Sequence, residues 1–243
     1  MWHVGRVIAL HDETGTARSI MLEVPDWPGH VAGQHVDVRL TAADGYSAAR
    51  SYSIASAPNV DCRIELTIER LPDGEVSPYL TQELTVGDPL ELRGPLGGWF
   101  VWRADQTEAI QLIAGGSGIV PLMAMIRSRA SAGNTAPFRI LYSVREPAAV
   151  FYRDELQALS AQASVVSVTY AYTRAAPENW PRPPSRIDAA LIESAAWPSI
   201  LRPTCYVCGP TPFVESAAAL LITSGHSPDK IRTERFGPTG DRK

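Results

Sequence analysis

Cysteine and lysine are the scarcest reactive side chains in this 243-residue chain, which has three cysteines (Cys62, Cys205, Cys208) and two lysines (Lys230, Lys243). Three thiols exclude a built-in ferredoxin-type iron-sulfur cluster, because such a cluster takes four cysteine thiolates. Cys205 and Cys208 spell C-x-x-C, yet no second such pair and no paired histidine motif supplies the rest of a zinc site. TCYVCG reads as a short strand in which positions three apart face opposite ways, so the two are expected as free, buried thiols. No metal site is expected. With no segment rich in lysine or arginine, a net charge of −4 and a pI near 5.8, a nucleic-acid footprint is excluded as well.

Long apolar runs are missing too. Only residues 109–126 approach the length of a membrane span, and Gly115, Gly116, Ser117, Gly118 and Pro121 break that stretch. The opening MWHVGRVIAL is too short and is interrupted by Arg6, so no secretory leader is read there and a cytoplasmic location is expected. Hydrophobic content of 45% and charged content of 20% fit a folded protein with a sizeable core.

What is present falls into two rhythms. Up to about residue 98 the chain shows short β-like runs at 4–10, 19–24, 35–40, 50–54, 62–69 and 89–92, with one short helix at 77–83, which predicts an antiparallel β-barrel. Beyond residue 100, strand patterns (110–114, 138–144, 165–172, 205–208, 230–236) alternate with helix patterns (120–130, 152–160, 189–195, 212–224). That alternation predicts an α/β doubly wound parallel sheet. The expected domains are residues 1–100 and 101–243. The four prolines of AAPENWPRPPS (175–185) mark an irregular excursion.

Two segments carry chemistry. In IQLIAGGSGIVPLMAMI an apolar strand runs into Gly115, Gly116, Ser117 and Gly118 and leaves as a helix. Glycines allow a sharp turn with backbone N–H groups close to a pyrophosphate, and the helix points its positive end at the same anion. The spacing departs from the dinucleotide fingerprint: Pro121 stands where a third glycine would close it, and no acidic residue follows about 20 positions on. In RSYSIASAP the residues Arg50, Ser51, Tyr52 and Ser53 alternate a cation, an aromatic ring and hydroxyls. Arg50 can fork onto a phosphate, Tyr52 can stack on a flat heterocycle, and Ser53 can hydrogen-bond a polar ring edge.

These two motifs, with GEVSPYL (74–80), GPLGGWF (94–100), YVCGPTPF (206–213) and TERF (233–236) in the same order, resemble the ferredoxin-NADP reductase superfamily over nearly the whole chain. The resemblance implies FAD held by Arg50, Ser51, Tyr52 and Ser53 and by Gly74, Val76 and Ser77, the last also suited to be a helix N-cap. It implies a nicotinamide dinucleotide on Gly115, Gly116, Ser117, Gly118 and Pro121, with Tyr206, Cys208, Gly209 and Pro210 at the end of the next-to-last strand. Cys208 is placed beside the nicotinamide, Ser53 near the flavin N5, and Glu234 and Phe236 match a carboxylate and a flavin-covering aromatic. Ser53, Cys208 and Glu234 are thus the expected catalytic residues.

Thr173 and Arg174 resemble the family's pair for the 2′-phosphate of NADP, with Arg145 and Arg186 as further cations near the adenosine, so NADP is expected over NAD. The implied activity is reduction of FAD by NAD(P)H, with electrons passed to a separate acceptor such as a ferredoxin, a flavodoxin or a haem protein. Reduction of a small flavin or quinone, and service as an electron-transfer subunit of a larger complex, are the alternatives. A monomer is expected.

Overall fold

The computed structural model describes residues 1–59, 61–161 and 166–237. By its contacts the chain divides into two compact units, Met1–Ala104 with Met123–Ala132, and Asp105–Leu122 with Gly133–Lys243.

The first unit holds six antiparallel strands, β1 (Trp2–Thr14), β2 (Ala17–Glu23), β3 (His35–Thr41), β4 (Ser47–Ser53), β5 (Arg63–Glu69) and β6 (Pro89–Leu96), in the order β4-β3-β6-β1-β2-β5. The two outer strands meet where Ile54 bridges Leu66 and the Ala55 N–H donates to the Glu65 carbonyl at 2.7 Å. That contact brings the two edge strands together at one end and closes the barrel there. Alternation drives the closure: Val36 and Val38 of β3 point inward with Ile20, Leu22, Ile64 and Leu66, while His35 and Asp37 point outward. β4 begins three residues before the expected start, because Ser47, Ala48 and Ala49 have little strand propensity of their own and are drawn in by pairing with β3. Helix α1 (Ser77–Gln82) adds Leu80 to the same core.

In the second unit β7 (Ile110–Gly115), β8 (Phe138–Val144), β9 (Val166–Tyr172), β10 (Thr204–Pro210) and β11 (Ile231–Phe236) form one parallel sheet in the order β11-β10-β7-β8-β9. Helix α2 (Ile119–Ser131) begins in this unit and from Met123 onward is grouped with the first, while α3 (Arg153–Ala161), α4 (Ala189–Ala195) and α5 (Thr211–Thr223) lie within the second. Every residue of β7 is buried, as a central strand covered on both faces requires. The chain leaves β7 towards β8 and β9, then returns to lay β10 on the other side of β7. This reversal puts a crevice at the carboxyl ends of β7 and β10, where open α/β sheets take their ligands. The expected strand start at Val165, and the chain after Gly237, lie outside the described residues. Among the described residues no helix is long and apolar enough to cross a membrane.

Candidate functional site

In the barrel unit, Arg50 and Tyr52 share one face of β4 by strand parity, and the Tyr52 ring packs against the barrel core. Burial pushes the Tyr52 hydroxyl up to about 12, against a smaller opposing pull from the nearby Arg50 charge. The Arg50 guanidinium already holds an anion: it donates to one oxygen of the Glu75 carboxylate, while the Tyr46 hydroxyl donates to the other at 2.6 Å. Both partners of the Arg50–Glu75 pair are about half exposed, at 51% and 46%. Glu75 lies in the Gly74–Ser77 segment, so this carboxylate marks a place where a phosphate oxygen is suited to the same fork.

Ser51 points the other way. Its hydroxyl donates to Asp37 at 2.6 Å, and Asp37 also accepts from Arg93, so its side chain stands apart from the Arg50 and Tyr52 cluster. Ser53 faces the same side as Ser51 and pairs across the ladder with His35. Ser77 is not the N-cap its sequence position suggested. Val76 occupies that position without a side-chain cap, and the Ser77 hydroxyl accepts from the Leu71 N–H at 3.0 Å. A Cβ on Gly74 would sit 3.0 Å from that hydroxyl oxygen, so the turn at Leu71–Gly74 closes tightly onto Ser77.

The crevice in the second unit is built by glycines pressed together. A Cβ on Gly115 would meet the Phe213 ring at 2.6 Å, one on Gly118 the Cys208 carbonyl oxygen at 2.2 Å, and one on Gly209 the Phe213 ring at 2.8 Å. Gly116 differs. Its φ of +55° calls for glycine, yet a Cβ there would meet nothing within 4 Å. The loop is therefore locked on the side facing β10 and open at Gly116, the shape a backbone-bound phosphate needs. Ser117 is half-buried within the single 3-10 turn that leads into α2, and Pro121 occupies the third residue of that helix, where its missing N–H costs nothing. The packing of Phe213 against Gly115 and Gly209 is not legible in the local pattern, because that contact exists only once β7 and β10 are neighbours.

Beside this loop, Cys208 pairs with Ala114 of β7 and Glu234 of β11. Burial, and secondarily the Glu234 carboxylate, push the Cys208 thiol well above its ordinary range, so it is a neutral thiol at pH 7 and not a nucleophile. Cys205, facing away, is likewise free and buried. Glu234 Oε2 is sealed from solvent without a hydrogen-bond partner among the described residues, and burial raises its pKa to about 7. An unpaired buried carboxyl oxygen is costly, and such groups concentrate at functional sites. Because the folded pKa lies above the unfolded one, the native state binds the extra proton and stability falls as pH rises from about 4.5 to 7. Glu234→Gln is therefore expected to gain stability over the parent at pH 8 and not at pH 5, as thermal melts at the two pH values will report. Phe236 is half-buried and pairs with Pro210.

At the carboxyl ends of β8 and β9, the Arg174 and Ala175 N–H groups donate to the Arg145 carbonyl, at 2.9 and 3.1 Å, and the Thr173 N–H donates to that of Val144 at 2.9 Å. Arg145 and Arg174 are thus neighbours with exposed side chains on the same end of the sheet as the glycine loop.

Residues 17–101 match the model of an oxidoreductase FAD-binding domain, and residues 112–219 that of an oxidoreductase NAD-binding domain. The chain belongs to the ferredoxin-NADP reductase superfamily. The glycine Betaine monooxygenase reductase subunit of Chromohalobacter salexigens is 29% identical to this superfamily member over 243 residues, which cover 98% of the chain and 65% of that relative. The chain thus spans about two thirds of the length of the curated relatives it matches. Among solved structures, the ferredoxin reductase in carbazole 1,9a-dioxygenase is 25% identical with a TM-score of 0.80, covering 98% of this chain and 70% of that one. The flavohaem-like FAD/NAD-binding domain of nitric oxide dioxygenase from Vibrio cholerae shares the fold, with 23% identity, a TM-score of 0.85 and coverage of 97% and 99%. As in the superfamily, the cofactors are FAD and a nicotinamide dinucleotide, and the residues present suit both: a forked cation already holding an anion, and a glycine loop open on one side.

Proposed function

We propose that this protein is the reductase of an oxygenase-type electron-transfer system, taking hydride from NADPH onto FAD and passing electrons to a separate redox protein. The observation that carries the proposal is the crevice at the β7/β10 switch point, where an open glycine loop, a neutral buried Cys208 and the sealed, unpartnered Oε2 of Glu234 stand on three adjacent strands. Supporting it, curated relatives are reductase components of monooxygenases and dioxygenases. In this reading the flavin domain is residues 1–100 and the nucleotide domain residues 101–243, acting as a monomer in the cytoplasm.

FAD, when bound, accepts a hydride and releases the two electrons singly, which converts a two-electron donor into a one-electron one. Arg50 anchors the FAD phosphates, with the N–H groups of Val76 and Ser77 assisting and Gly74 closing the turn that leads to them, its own N–H donating to the Leu71 carbonyl, while the backbone of Ser51 holds β4 in register. Tyr52 presents its ring to the flavin plane, and Ser53 places a hydroxyl donor at the ring edge. Gly115 to Gly118 and the start of α2 at Pro121 seat the dinucleotide pyrophosphate, and Gly209 and Pro210 keep the nicotinamide end clear of side chains. Cys208 offers a small apolar thiol against the nicotinamide. Glu234, with a pKa close to neutrality, holds or yields a proton without a large free-energy cost on either side. Phe236 shields the site. Orientation supplies most of the acceleration, since hydride transfer needs little acid-base assistance.

Thr173, Arg174 and Arg145 favour NADPH because a guanidinium pairs with the 2′-phosphate that NADH lacks. Arg174→Ala is expected to raise KM for NADPH about tenfold or more, the value of one charge-assisted contact, and to leave KM for NADH nearly unchanged. Steady-state reduction of ferricyanide with each nucleotide tests this; equal parent efficiency with both nucleotides refutes the preference.

A further inference from the structure

The barrel unit holds a second aromatic residue beside Arg50 that the roles above leave unused. Tyr46 sits at the tip of the β3–β4 hairpin, one residue before the terminal Thr41 and Ser47 pair. Its backbone is fixed at two points: the N–H donates to Asp44 Oδ1 at 3.0 Å, and the carbonyl accepts from the Ala42 N–H at 2.8 Å. Its hydroxyl is fixed as well, donating to the Glu75 oxygen opposite the one that Arg50 holds. The side chain is therefore held at both ends while the residue stays 58% exposed. Among the described residues, no other ring and no guanidinium stacks on it.

An exposed aromatic ring usually moves freely on a surface. One clamped at backbone and hydroxyl, a single carboxylate away from a phosphate-type cation, is a preorganised flat surface. We propose that the Tyr46 ring is the platform on which the adenine of FAD stacks, which makes it the residue that selects FAD over flavin mononucleotide. This rests on the reading of Arg50 as the FAD phosphate anchor. A dinucleotide carries a flat base beyond its pyrophosphate, whereas a mononucleotide ends at the one phosphate that Arg50 serves. Glu75 is then a positioning residue that sets the distance between cation and ring. Stacking of a base on an aromatic side chain is worth about 1–3 kcal/mol.

The test is equilibrium binding of FAD and of FMN to apoprotein, followed by flavin fluorescence, for the parent, Tyr46→Ala and Tyr46→Phe. Loss of the ring in Tyr46→Ala should weaken FAD by at least about fivefold and leave FMN within about twofold, the low end of a stacking contribution. Tyr46→Phe, which keeps the ring and loses only the hydroxyl clamp, should retain most of the FAD affinity. The proposal is overturned if Tyr46→Ala leaves FAD binding unchanged, if FMN weakens as much as FAD, or if Tyr46→Phe is as damaging as Tyr46→Ala, which assigns the residue a strut role alone. Parent protein that binds neither flavin overturns the flavin reading itself, and the platform with it.

Discussion

Arg50→Ala is expected to purify without flavin colour and to bind added FAD about 10- to 100-fold more weakly than the parent, the value of hydrogen bonds to a charged group. The effect has two parts. The guanidinium fork that would meet the phosphates is gone, and Glu75, which that fork neutralises, is left as an uncompensated carboxylate in the same place. Arg50→Lys should fall in between, because it keeps the charge and loses the planar fork. The half-exposed Arg50–Glu75 pair itself contributes little to folding, since surface ion pairs are worth about 0–1 kcal/mol. Thermal stability of the apoprotein should therefore change little while cofactor retention collapses. Titration of apoprotein with FAD measures the first, and melts of the same samples the second. An Arg50→Ala protein that purifies fully yellow removes Arg50 from the cofactor site.

Gly118→Ala should damage the second unit more than any other single methyl group. Its Cβ would lie 2.2 Å from the Cys208 carbonyl oxygen, 2.5 Å from the carbonyl carbon and 2.8 Å from the Gly209 nitrogen, all backbone atoms that no rotamer change can move. Either the glycine loop or the end of β10 must shift. Overpacking of this kind costs about 1–3 kcal/mol, which lowers Tm by roughly 3–10 °C for a unit of this size. The kinetic loss should be larger, because the same shift moves Cys208 and Gly209, and a displacement of about 1 Å in a positioning element costs on the order of a hundredfold. Gly116→Ala is the control: its Cβ would enter open space, so only the strain at φ +55° remains, about 1 kcal/mol. Melts and rapid-mixing reduction by NADPH on both variants separate packing from backbone conformation. Equal behaviour of the two contradicts the account of the crevice.

The two-unit architecture was legible in the chain because the hydrophobic period changes once, from the alternation of Val36 and Val38 to the continuous apolar run of β7 followed by α2. Such patterns need only local chemistry. The glycine loop was legible for the same reason, although its spacing fits no standard fingerprint. In the structure Gly115 and Gly118 are required by close packing, Gly209 by close packing together with a φ of +157°, and Gly116 by its backbone conformation alone, with open space around it. What stayed hidden depends on pairs far apart in sequence. Glu75 gave no sign of holding both Arg50 and Tyr46, and Ser77 looked like a cap until Leu71 was seen to claim its hydroxyl. The raised pKa of Glu234 arises because β11 docks beside β10, a tertiary event that the segment TERF does not encode by itself.

The measurement that bears most directly on the central claim is the visible absorption spectrum of the purified protein under anaerobic conditions, recorded before and after one equivalent of NADPH and, separately, of NADH. The account predicts oxidised flavin bands that bleach with both nucleotides and faster with NADPH. A protein that is colourless and stays colourless after incubation with FAD contradicts it.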